Sequence, residues 1–90
     1  MITIYNYRDV VFKKDCIIVE CYRIFKDGNT AYMKRLKKEI EDGDILGFEL
    51  LGGRLSVPDD EGVHIRILFP AKNLYKVGKR DICFINSQQE

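Results

Sequence analysis

The residues of this chain with the chemistry to make or break bonds are three cysteines, one histidine and two clusters of carboxylates. A structural zinc ion wants Cys or His ligands in closely spaced pairs, usually two of them. Cys16 and Cys21 are five apart in a run of strand character, and an odd separation sends them to opposite faces. Cys83 is remote from both, and His64 is the sole imidazole. Neither Asp42-Gly43-Asp44 nor Asp59-Asp60-Glu61 has the alternating oxygens and distant glutamate of a calcium loop. The expectation is no metal site.

Nucleophilic catalysis by cysteine needs a thiolate within reach of a base. Cys83 and His64 could stand on neighbouring strands, but Cys83 belongs to the apolar run ICFI, where burial suppresses the thiolate. Ser56 and Ser87 are the only serines, and neither sits in a glycine elbow. Gly52-Gly53 precedes no helix, so no helix N-terminus is offered to a phosphate. Glu39, Glu41, Asp42 and Asp44 gather at an expected helix C-terminus, an awkward place for anions because the helix dipole is negative there. Such a run reads first as solvated surface. No catalytic residue and no cofactor follow from these side chains, and the chain is expected not to be an enzyme.

The remaining signals suit binding. Tyr5 and Tyr7 fall on one face of an N-terminal strand with Arg8 close by, and tyrosine buries much area at low entropic cost. Lys34, Arg35, Lys37 and Lys38 crowd one side of the expected helix, and Lys72, Lys76, Lys79 and Arg80 crowd a late connection. The candidate partner-binding residues are therefore Tyr5, Tyr7, Arg8, Lys34, Arg35, Lys38, Lys76, Lys79 and Arg80. The preferred partner is a protein. Nucleic acid, held by the basic helix and the 72–80 connection, is the alternative. A formal net charge of +1, from 15 Lys plus Arg against 14 Asp plus Glu, argues against generic coating of duplex DNA. A third reading is a small-molecule or nucleotide pocket completed at a dimer interface, where two copies of His64, Arg66 or the acidic cluster would meet.

These residues need elements to carry them. Ninety residues fit one domain spanning 1–90, and 46% apolar residues suit a globular chain. ITIYNYRDVVF at 2–12 reads as a strand bent near Asn6 and Arg8, and CIIVECYRIF at 16–25 reads as a central strand; the three-residue break between them predicts a hairpin. Lys26-Asp27-Gly28-Asn29 is a turn signal. In TAYMKRLKKEIEDG the residues Tyr32, Met33, Leu36 and Ile40 form one apolar stripe, with Asn29 or Thr30 as cap and Gly43 as the left-handed stop. The rival for residues 30–36 is a strand after an Asp27-Gly28 turn.

ILGFELL and RLSV flank Gly52-Gly53 as a second hairpin. VHIRILF at 63–69 alternates as a strand ended by Pro70, residues 71–80 read as a basic loop, and ICFI at 82–85 as a last strand. The order ββαββββ predicts an α+β fold, a mostly antiparallel curved sheet with one helix packed on one face. Pairing of sheet edges across a two-fold axis offers a route to a homodimer.

No membrane helix and no secretory leader are expected, and with an odd cysteine count the compartment is read as a reducing cytoplasm with all three thiols in the core. This size and this lack of machinery suit a small accessory or inhibitor protein of the kind carried by phages.

Overall fold

The computed structural model describes residues 1–25, 31–52 and 62–86. Their elements run β1 (Ile2–Ile4), β2 (Asp9–Phe12), β3 (Cys16–Arg23), α1 (Tyr32–Glu41), β4 (Gly47–Leu50), β5 (Val63–Pro70), a 3-10 turn (Ala71–Asn73), β6 (Leu74–Val77) and β7 (Ile82–Phe84). The class is α+β, and the strands form two open antiparallel sheets, β2-β3-β5-β4 and β1-β7-β6.

Alternation decides which side of the larger sheet is covered. On β5, Val63, Ile65, Ile67 and Phe69 are buried, and on β3 so are Ile17, Val19 and Cys21. Their register partners match across the two strands, Ile17 with Phe69, Val19 with Ile67 and Cys21 with Ile65, so one face is a continuous apolar layer. The smaller sheet contributes Ile2, Ile4, Ile82 and Phe84 to the same core. The rings of Phe69 and Phe84 stack with centroids 3.7 Å apart and planes within 4°, joining the two sheets. Phe25, Leu36 of α1 and Ile45 complete the cluster.

The helix forms where its apolar spacing predicts, and Gly43 ends it at φ 80°. Its buried side differs from the expected stripe. Leu36 and Glu39 are the buried residues, whereas Ile40 is 40% exposed. Glu39 goes inward because Arg23 meets it there, through two parallel hydrogen bonds of 2.6 and 2.5 Å. The Arg23 guanidinium also lies 4.6 Å from the centre of the Phe25 ring.

Several expectations need correction. Residues 2–12 are not one strand. The chain leaves the smaller sheet after Ile4 and enters the larger one at Asp9, turning through Asn6 at φ 52°. Asparagine tolerates that left-handed backbone better than most residues. The predicted single curved sheet is accordingly two sheets. Residues 71–80 are not a loop: they hold the 3-10 turn and β6, which pairs with β7 through a register shift between Leu74 and Lys76. Only Cys21 is a fully buried cysteine, while Cys16 and Cys83 are partly exposed. The 26–29 turn, the caps Asn29 and Thr30, and the 54–57 strand lie outside the described residues.

Candidate functional site

β3 is eight residues long and β2 is four. β2 pairs with residues 17–20 of β3, and the last bond on that side runs from the Arg8 N–H to the Glu20 carbonyl at 2.8 Å. Beyond it β3 continues through Cys21, Tyr22 and Arg23, still paired to β5 but, among the described residues, without a strand on the β2 side. The chain has turned away there, through residues 5–8, to reach β1. A groove of about 670 Å³ opens in the space left behind. One wall is Met1, Thr3, Ile4, Tyr5 and Asn6; the other is Tyr22, Arg23 and Ile24.

Apolar and aromatic groups stand in the open around this groove. Met1 is 51% exposed, Tyr5 66% and Ile24 70%. Arg8 sits beside it, donating a 3.1 Å hydrogen bond to the Tyr22 hydroxyl, with its guanidinium 5.5 Å from that ring's centre. The Tyr22 ring also stacks on His64, centroids 4.6 Å apart. Tyr22 is thus held at the rim by a cation and an imidazole.

From His64 a polar network continues over the uncovered face of the larger sheet. The His64 Nε2–H donates to Glu20 Oε2 at 2.9 Å, Arg66 lies 3.9 Å from the other Glu20 oxygen, and Arg66 also pairs with Glu49. These residues alternate with the core residues of their strands, so one register row carries Glu20, Arg66 and Glu49 across three strands. The hydrogen bond from His64, aided by the charges of Arg66 and Arg8 and opposed by partial desolvation, holds the Glu20 carboxyl below its ordinary 4.5. Cys21 lies in the core, where burial pushes its thiol up to about 12 and leaves it a packing group. Cys83 cannot pair with His64, because they belong to different sheets; its Sγ instead accepts from the Thr3 hydroxyl at 3.5 Å.

The structure divides the residues expected to bind a partner. Tyr5 lines the groove and Arg8 stands at its rim through Tyr22. Tyr7 does not share Tyr5's surface. It packs against the core, and its N–H donates to the Arg80 carbonyl at 3.1 Å. Lys34, Arg35 and Lys38 are exposed on α1, where Arg35 lies 3.6 Å from Glu39 and Lys38 lies 3.4 Å from Asp42. Lys76 is exposed on β6, with Lys79 and Arg80 in the turn that follows. Three members of the acidic cluster enter structural contacts: Glu39 holds Arg23, Asp42 faces Lys38, and buried Asp44 accepts from the Asn86 amide at 3.4 Å.

Sequence reasoning missed Met1, Thr3, Tyr22 and Ile24 as members of one site. The available signal was length: the run 16–25 is longer than its hairpin partner can cover once Asn6 turns the chain.

No protein-family model, curated protein or solved structure matches this chain. Among the described residues, no helix is long and apolar enough to cross a membrane.

Proposed function

We propose that this protein is a non-enzymatic binding module that acts by occupying a partner protein, and that the groove between residues 1–6 and 22–24 is its contact surface. The carrying observation is the concentration of Met1, Tyr5, Tyr22 and Ile24, all more than 40% exposed, around one concavity. Apolar side chains scattered singly over a surface need no explanation, but a cluster of them at a concavity is characteristic of a recognition site. Tyrosine and arginine at its rim are the residue types that dominate interface energies. An inhibitor of accessory type is one form such a module takes.

The basic residues support this reading less. Arg35 and Lys38 of α1 lie beside Glu39 and Asp42, and the cations of β6 and its turn belong to a different part of the fold. Phosphate binding draws on cations that converge.

A photo-crosslinking amino acid at Ile24, compared with one at Lys37 on the exposed side of α1, tests the proposal. A partner taken from host lysate, then purified, should crosslink through position 24 and not through 37. It should lose affinity for an Ile24→Asp variant that retains its fold. A partner that crosslinks through 37 and binds the Ile24→Asp variant unchanged would refute the groove as the contact surface.

A further inference from the structure

We propose that the partner enters the groove as an extended segment that adds a strand between β3 and β1, with an acidic group at the Arg8 end. This rests on the groove being the protein-binding surface, and it names how that surface is used.

Backbone direction carries the inference. The Glu20 carbonyl accepts from Arg8, and the Cys16 carbonyl accepts from Lys13 at 2.9 Å. Even-numbered residues of β3 therefore aim their N–H and C=O groups toward the β2 side, and the register with β5 runs without a shift from residue 16 to 23. Tyr22 aims both groups the same way, past the end of β2. The opposite wall obeys the same rule. The Ile85 N–H donates to the Asn73 carbonyl at 2.8 Å, and the Asp81 carbonyl accepts from Gly78 at 2.7 Å, so odd-numbered residues there face β6. Ile82 and Phe84 consequently bond to Ile4 and Ile2, which leaves the Thr3 N–H and C=O turned away from β7, on the groove side.

Two open strand edges thus line one apolar groove, with no backbone partner on it for Thr3 or Tyr22 among the described residues. Unpaired peptide groups on strand edges are templates for another strand, and a peptide backbone supplies the alternating donors and acceptors that complete them. Two of the other edges are guarded. β2 begins at Asp9 and is followed by Lys13 and Lys14, and β6 carries a register shift and Lys76. Charges and irregularities of this kind deter strand addition.

Charge selects the occupant's chemistry. Among the described residues the exposed Arg8 guanidinium has a tyrosine hydroxyl and ring as its neighbours and no carboxylate within 4.0 Å, Glu20 acting with it only at longer range. A carboxylate on the incoming segment would complete it. The occupant is therefore an extended segment with apolar residues at alternate positions and an acidic flank.

The probe is a synthetic octapeptide, three valine-threonine repeats followed by two aspartates, with two twins. One twin is N-methylated at alternate residues, and the other ends in two lysines. Amide shifts and exchange rates are followed in the full chain. The parent peptide should slow exchange at Thr3 and Tyr22. The methylated twin should bind roughly tenfold more weakly, since each lost backbone bond removes a modest net amount. The lysine twin should bind about threefold more weakly, and Arg8→Ala should erase that difference.

Equal binding of the parent and methylated peptides, abolished by Ile24→Asp, would overturn strand addition while leaving the groove as a contact surface. Failure of the parent peptide to bind at millimolar concentration would also overturn it, and the crosslinking comparison would still judge the groove itself. Protection of Thr3 and Tyr22 in the free protein, with a dimer in sedimentation equilibrium, would overturn it in favour of a second copy.

Discussion

The two ends of β3 are held by different forces. Over residues 17–20 the strand has β2 on one side and β5 on the other, and its outward face carries Glu20 in an exposed network with His64 and Arg66. From Cys21 onward the backbone is paired, among the described residues, to β5 alone, and the ion pair there, Arg23 with Glu39, points inward with side chains only 10% and 6% exposed. Where backbone pairing on one side stops, a desolvated charge pair and a tight glycine contact take over the positioning of the strand. That substitution leaves an ordered strand with one edge available.

Substitutions that set the two ends against each other should differ in size. The largest effect is expected for Glu39→Gln, which leaves the Arg23 guanidinium buried without its counter-charge. Breaking one partner of such a pair typically costs about 3–5 kcal/mol. Urea unfolding should show it, and Arg23→Met combined with Glu39→Leu should recover most of the loss. A single-variant loss below about 1 kcal/mol would mean that the pair does not hold this end.

Next comes Gly62, whose φ of +143° is disfavoured for other residues and where an added Cβ would lie 2.7 Å from the Arg23 carbonyl oxygen. Gly62→Ala should destabilise by about 1–3 kcal/mol through backbone strain and displacement of the β3 end. The amide signals of residues 22–24 should move more than those of residues 17–20. A variant with wild-type stability and an undisturbed β3 would remove the glycine contact from the account.

At the doubly paired end, Arg66→Ala should cost no more than about 1 kcal/mol, because its partners are solvated. The smallest effect is a pH dependence. With Glu20 depressed in the folded state, its contribution is full above the ordinary value of 4.5 and is lost as pH falls through the lower folded value. In Glu20→Gln the urea midpoint should therefore fall less steeply below about pH 4.5 than in the wild type. Superimposable acid limbs would show that the His64 contact does not couple to folding.

The legible parts of this fold were those written in local spacing. β3 and β5 alternate strongly, the three-residue break between residues 12 and 16 makes the β2–β3 hairpin, and the Leu36 repeat with Gly43 marks α1. The division of residues 2–12 was hidden because Ile2, Ile4, Val10 and Val11 all suit a strand, and the turn depends on the backbone freedom of Asn6. β6 was hidden because its register shift spoils the alternation of Leu74, Lys76 and Val77. The burial of Glu39 was not readable from its helix, since its partner comes from a strand 16 positions earlier. Of the candidate site, Tyr5 and Arg8 were visible as residue types. Tyr22 and Ile24 joined them only when pairing showed that β2 stops short of them.

Native-state amide hydrogen exchange on the isolated protein tests the open edge most directly. The amides of Ile18 and Glu20, which face β2, should exchange slowly, while that of Tyr22, on the same side of the same strand, should exchange about a hundredfold faster or more. Equal protection at Tyr22 and Glu20 would mean that the edge is already occupied, and the account of this groove as a vacant strand position would be contradicted.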